Sequence, residues 1–145
     1  KALGGGMAIG AIAAKPEIAE SLAPGTHAST FGGNPVATAA GIAVFETIDE
    51  ENLLDYVNTV SKKIVERIDH IASECSYVHY VRNLGMMIGI ELDRPGADIV
   101  SSCLEQGLNI NCTHGNVIRL VPAMNIKMST AEEGLDILEK VMTSA

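Results

Sequence analysis

From Leu53 onward the apolar residues fall into a fixed rhythm: Leu53, Val57, Val60, Ile64, Ile68 and Ile71 recur at steps of four and three. Steps of that size stack side chains on one face of an α-helix. The positions between them are mostly polar or charged, so the segment predicts a helix that buries a single stripe. Beyond Cys75 the rhythm changes. Residues 78–82 and 87–92 read as two strands hinged at Gly85. A helix over residues 97–106 should end at Gly107 in the C′ position, where glycine accepts the left-handed backbone. Residues 108–111 and 117–121 suggest two further short strands. The last helix is expected to open on a capping box, Ser129-Thr-Ala-Glu132, and to run to about Met142. Helix, two strands, helix, two strands, helix is the order of an α+β module, a small sheet covered by helices.

The part before Leu53 is built differently. Gly4, Gly5 and Gly6 mark a turn, and the small apolar residues 7–14 read as a short buried strand, although periodicity alone leaves helix open. Residues 21–35 are rich in Pro, Gly, Ser, Thr and Asn and predict a long loop, a kind of segment that in compact domains usually serves function. Asn34-Pro35 then starts a helix, with Asn at the N-cap and Pro at the first helical position. From residue 36 to 48 that helix is apolar nearly all round and should be buried. The change from this helix to the amphipathic one places a domain boundary between residues 48 and 49. The expected fold class is therefore α/β, with residues 49–145 an α+β domain.

Composition narrows the function classes. Hydrophobic residues make up 47% of the 145 and charged residues 19%, values of a globular chain with a core to bury. Net charge is −8, and Lys and Arg are scattered, which argues against a nucleic-acid surface. The longest apolar run, residues 7–14, is too short to span a bilayer, so no membrane role is expected. Cys75, Cys103 and Cys112 are odd in number and form no zinc pattern, which favours buried thiols in a reducing cytoplasm. None of the four histidines stands at metal-ligand spacing, so no metal site is expected. The chain opens at Lys1 inside what reads as a motif, and a fragment of a longer protein is expected.

Three places could carry chemistry. Lys1 precedes the glycine turn: a lysine amine attacks carbonyls once deprotonated, and glycines let a bulky cofactor approach the backbone. By residue type alone Lys1 reads more readily as a solvated terminal lysine beside a flexible turn. His27-Ala-Ser-Thr-Phe-Gly-Gly-Asn-Pro35 sets two hydroxyls, Ser29 and Thr30, beside a glycine pair ahead of a helix start. Hydroxyls and free amides suit an anion, whereas the plain alternative is a loop held by its own Ser/Thr hydrogen bonds. Arg119 lies in the apolar run Val117-Ile-Arg-Leu-Val121; its fork fits a carboxylate, and the alternatives are a structural ion pair or an exposed arginine on an edge strand.

Taken together, four stretches resemble the class III (fold-type I) pyridoxal-phosphate aminotransferases, a family that includes acetylornithine, ornithine and 4-aminobutyrate aminotransferases. They are Lys1-Ala-Leu-Gly-Gly-Gly-Met-Ala-Ile-Gly-Ala11, Ser29-Thr-Phe-Gly-Gly-Asn-Pro35, Val81-Arg-Asn-Leu-Gly-Met-Met-Ile-Gly-Ile-Glu91 and Asn116-Val-Ile-Arg-Leu-Val-Pro122. Their order and spacing agree with the family over the whole chain. Within the family, Asn109-Ile-Asn-Cys-Thr-His-Gly-Asn-Val-Ile-Arg119 is similar to the acetylornithine branch.

The resemblance implies that residues 1–48 are the tail of a large cofactor-binding domain and 49–145 the small C-terminal domain of a homodimeric enzyme. It implies that Lys1 forms the covalent link to pyridoxal 5′-phosphate. It also implies that Thr30 hydrogen-bonds the cofactor phosphate across the dimer interface, that Ser29 contacts the acetylated donor, and that Arg119 binds the carboxylate of glutamate or 2-oxoglutarate. The expected reaction moves the terminal amino group of N-acetylornithine to 2-oxoglutarate in the cytoplasm, as in arginine biosynthesis, with ornithine or 4-aminobutyrate aminotransferase as the alternative. Ala8 stands where the family usually has Pro, Asn83 where Gly is common, and Ala123-Met124 where Pro-Leu is common; none of these bears on the chemistry. The remaining cofactor contacts are expected upstream of Lys1, so the isolated chain is expected to be a non-catalytic fragment.

Overall fold

The computed structural model describes residues 2–144 and divides the chain into two compact units, Lys1–Asn52 and Leu53–Ala145. Lys1 itself, the expected cofactor lysine, lies outside the described residues.

In the first unit, the chain leaves Ala2 through a tight turn in which Gly5 and Gly6 take positive φ (57° and 112°). Gly4 is buried, and a Cβ there would sit 2.6 Å from the carbonyl oxygen of Met7, so only glycine closes the turn. The turn and Ile9 rest on helix α2 (Pro35–Glu50): a Cβ on Gly41 would meet Ile9 Cδ1 and the Leu3 carbonyl at 3.6 Å. A short helix, α1 (Pro16–Ala19), and a long loop lie between turn and α2. Helix α2 starts where the sequence says: Asn34 Oδ1 accepts from the amides of Val36 and Ala37 at 2.9 and 3.2 Å, with Pro35 at the first position.

Two expectations fail in this unit. Residues 8–15 form no strand and are largely exposed, with Ile12 84% accessible. A strand needs a ladder partner for its N–H and C=O groups, and among the described residues none pairs with this segment. Nor is α2 buried all round: only Ala37 and Gly41 are, while Val36, Ile42 and Phe45 are exposed. An all-round apolar helix needs neighbours on every side, and the unit supplies them on one.

The second unit is α+β, as expected. Helix α3 (Leu53–Glu74) buries Leu53, Val60, Ile64, Ile68 and Ile71 along one stripe, with Val57 packed at its margin. A hairpin of β1 (Val78–Leu84) and β2 (Met87–Leu92) follows, and Gly85 takes the positive φ (54°) that its two-residue turn requires. Helix α4 (Ala97–Glu105) ends as a Schellman motif: Leu108 N–H donates to Cys103 O at 2.8 Å and Gly107 N–H to Leu104 O at 3.0 Å, with Gly107 at φ 93°. The second hairpin joins β3 (Asn111–Thr113) to β4 (Val117–Leu120), so β3 lies later than residues 108–111.

Helix α5 (Met128–Thr143) closes the unit. Its expected capping box does not form. Lys127 is the N-cap, without a side-chain bond, because the helix begins two residues early and Ser129 is already inside it.

The sheet runs β1-β2-β4-β3, antiparallel throughout. One face carries Ile88, Ile90, Leu92 and Ile118, all at most 1% exposed, against Ile64, Ile68, Ile71, Leu138 and Met142 of the helices. Two tyrosines fasten the layers. Tyr56 donates to Ile126 O at 2.7 Å and Tyr77 to Met142 O at 2.6 Å. Arg67 of α3 reaches Asp136 (3.0 Å) and Glu139 of α5. Among the described residues no helix is long and apolar enough to cross a membrane.

Candidate active-site residues

The useful face of the sheet is the one turned away from the helices. On β4 Val117 and Ile118 are both buried and Arg119 is exposed; successive side chains of a strand leave opposite faces, so Arg119 points away from the fully buried Ile118. Register places four residues in a row across that face: Arg82 of β1, Gly89 of β2, Arg119 of β4 and Asn111 of β3. Arg82 donates to Glu91 Oε2 at 2.7 Å and to the Tyr80 hydroxyl, and its guanidinium lies over the Tyr80 ring. The Arg82 hydrogen bond, then that of Tyr80, holds the Glu91 carboxyl below the usual range.

Arg119 is in a different state. Its Nε donates to Asn111 Oδ1 at 3.2 Å, and among the described residues no carboxylate pairs with it. Arg119 is exposed, as one plain alternative has it, but β4 is an inner strand and not an edge. Between the two arginines Gly89 carries no side chain; a Cβ there would lie 3.7 Å from Arg82 Nε. A cavity of about 370 Å³ opens at this point, lined by Arg82, Gly89, Thr113, His114 and Arg119 among others. Arg82 is thus ion-paired within the sheet, whereas among the described residues neither Nη group of Arg119 has an intramolecular partner.

Ser29 and Thr30 belong to the first unit, in the loop before α2. Both are exposed, and among the described residues neither hydroxyl has an intramolecular partner. Gly32 N–H donates to Ser29 O at 3.2 Å, and a Cβ on Gly32 would meet Ser29 Cβ at 3.0 Å, so glycine keeps the turn closed. The amides at the start of α2 are not free for an anion: those of Val36 and Ala37 are taken by Asn34 Oδ1 and that of Thr38 by Asn34 O. What this loop can offer a phosphate is hydroxyls. Thr30 therefore fits one oxygen of a phosphate group, while the described residues assemble no seat for an aromatic ring around it. No cluster of three or more metal-ligating side chains occurs among the described residues.

Comparison with known proteins explains the pattern. The family model described as aminotransferase class-III matches residues 1–142. The chain belongs to the class-III aminotransferase family. The acetylornithine aminotransferase of Methanocaldococcus jannaschii is 41% identical over 143 residues, 99% of this chain and 36% of the relative. That of Caldanaerobacter subterraneus is 42% identical over 144 residues, again 36% of the relative. Among solved structures, the acetylornithine aminotransferase of Elizabethkingia anophelis aligns with a TM-score of 0.80 at 27% identity over 88% of this chain and 33% of its own. An aminotransferase of Bacillus anthracis gives 0.81 at 28% over 90% and 34%. The chain therefore spans about a third of the length of these relatives. The fold is that of a portion of a pyridoxal-phosphate-dependent aminotransferase.

Asn111, Arg82 and Glu91 were not singled out from the sequence. The signal that finds them is positional: in antiparallel strands, residues paired in register share a face, and register becomes known only once both hairpin turns are placed.

Proposed function

We propose that this chain is part of an enzyme that transfers the terminal amino group of N-acetylornithine to 2-oxoglutarate, in the cytoplasm and in the service of arginine biosynthesis. The observation that carries the reading is Arg119: a cation held on a rigid inner strand, unneutralised, in a chain whose relatives at about 40% identity are named acetylornithine aminotransferase. In this reading residues 1–48 belong to a large cofactor domain, residues 49–145 form the small domain, and the working unit is a homodimer.

When bound, pyridoxal phosphate supplies the electron sink and the carrier of the amino group. Lys1 would be the amine that holds it, and the Lys1 Nζ would take and return the proton of the substrate carbon. Thr30 holds a phosphate oxygen of the partner subunit's cofactor with its free hydroxyl, and Ser29 contacts the donor. Arg119 grips the acceptor carboxylate with its Nη groups. Donor and acceptor use one site in turn, so Arg119 must be neutralised while the donor is bound, by a glutamate from elsewhere in the protein. A second reading, an ornithine-type donor, is favoured by the likeness to the ornithine δ-aminotransferase of Plasmodium falciparum (TM-score 0.82, 26% identity).

The test is kinetic, on the full-length protein. Arg119→Ala should slow the 2-oxoglutarate half-reaction by on the order of 30-fold or more, which is the lower end, about 2 kcal/mol, for truncating one partner of a buried charge pair. The donor half-reaction should be nearly unchanged. Equal 2-oxoglutarate kinetics in variant and parent refute the role of Arg119. Comparing N-acetylornithine, ornithine and 4-aminobutyrate as donors separates the two readings.

A further inference from the structure

We propose that Asn111 is a positioning residue that sets which edge of Arg119 meets the acceptor carboxylate and does so without placing a competing carboxylate beside it. This rests on the proposed role of Arg119 and deepens it.

Asn111 and Arg119 are direct partners in the β3–β4 register, so their side chains leave the sheet on the same side. The bond between them runs from Arg119 Nε to Asn111 Oδ1 at 3.2 Å. Nε is a donor only, so the amide must present its oxygen to it. A guanidinium offers a carboxylate two forked edges, one made of Nε and an Nη and one made of the two Nη groups. With Nε occupied the first edge is half closed, and the end-on Nη pair is the one left to bind. The backbone reinforces this, because Asn111 stands on a strand fixed to β4 by three registered pairs and its loop is short, with His114 and Gly115 at φ 54° and 82°.

Charge matters as much as direction. The same sheet carries its own comparison two strands away. Arg82 has a carboxylate, Glu91, as its acceptor and is neutralised by it. Arg119 has an amide, which fixes the side chain through one bond yet leaves the full positive charge for a ligand. An aspartate at position 111 would recreate the Arg82–Glu91 arrangement beside the acceptor site and repel the incoming carboxylate. The neutral oxygen at position 111 is thus the feature that separates a binding arginine from a structural one.

The experiment uses the full-length enzyme loaded with pyridoxal phosphate, with Asn111→Asp and Asn111→Ala measured beside Arg119→Ala. Asn111→Asp should raise KM for 2-oxoglutarate about tenfold or more, the scale of a charge-assisted hydrogen bond, with the donor half-reaction unchanged. Asn111→Ala, which adds no charge, should raise KM by a smaller factor, an order that a packing defect common to both variants would not produce; it also decides the matter if the Asp variant does not fold. Unchanged KM for 2-oxoglutarate in the Asp variant, or in the Ala variant if only that folds, while Arg119→Ala raises it, overturns the role of Asn111 and leaves the proposed function standing. No effect of Arg119→Ala on the acceptor overturns both.

Discussion

Ile118→Ala should be among the most damaging single substitutions in the second unit. Ile118 is fully buried, pairs with Ile90 on β2 and Cys112 on β3, and faces the helix layer while its neighbour Arg119 faces out. Truncation to alanine removes three carbons. At about 0.8 kcal/mol per buried methylene this loses roughly 2.4 kcal/mol of transfer free energy. The sheet is pinned on both sides of the position and collapses poorly, so a cavity term brings the cost to about 3–4 kcal/mol, within the range for Ile→Ala in cores. With a urea slope of about 1–3 kcal/mol per molar, the unfolding midpoint should fall by roughly 1–4 M. Val121→Ala, at a position 58% exposed just beyond β4, should cost no more than about 0.5 kcal/mol. The assay is urea unfolding of the 145-residue chain followed by far-ultraviolet circular dichroism. Equal midpoints for the two variants would refute the assignment of this sheet face to the core.

Two further outcomes are expected. The 145-residue chain mixed with pyridoxal phosphate should yield only a weak, borohydride-trappable adduct spread over several lysines, as mass mapping would show; tight stoichiometric binding at Lys1 with turnover of N-acetylornithine would contradict this. Cys103 is fully buried, and burial pushes its thiol up from the ordinary value, so the neutral form is the stable one in the fold. Its contribution to stability is therefore complete below the ordinary thiol range and is lost as pH rises through the raised value. Native alkylation at pH 8 should label the half-buried Cys112 well before Cys103, and equal rates would show the burial reading to be wrong.

Local signals were read correctly where a few neighbouring residues suffice to satisfy the backbone. The Asn34-Pro35 start, the Gly107 stop and the Gly85 turn each close hydrogen bonds within five residues of themselves, so no distant partner is consulted. The stripe of α3 is equally local, since 3.6 residues per turn alone decides which side chains share a face. The capping box does not form because α5 begins at Met128, two residues before the start that Ser129 as N-cap requires.

By itself, then, the sequence determined the helix stripes, the turns, the four family motifs and the presence of one arginine in an apolar strand. Tertiary structure decided what those pieces meet. Residues 7–14 have strand composition but no ladder partner among the described residues, and α2 is apolar all round yet covered on one side, because burial belongs to the neighbours and not to the segment. The chemistry divides the same way. Arg82 and Arg119 are alike in residue type and both stand in strands, but register sets Glu91 and Tyr80 around the first and Asn111 beside the second. A one-residue slip would turn every one of these side chains to the opposite face, and the pairing that prevents it forms only when the strands have come together.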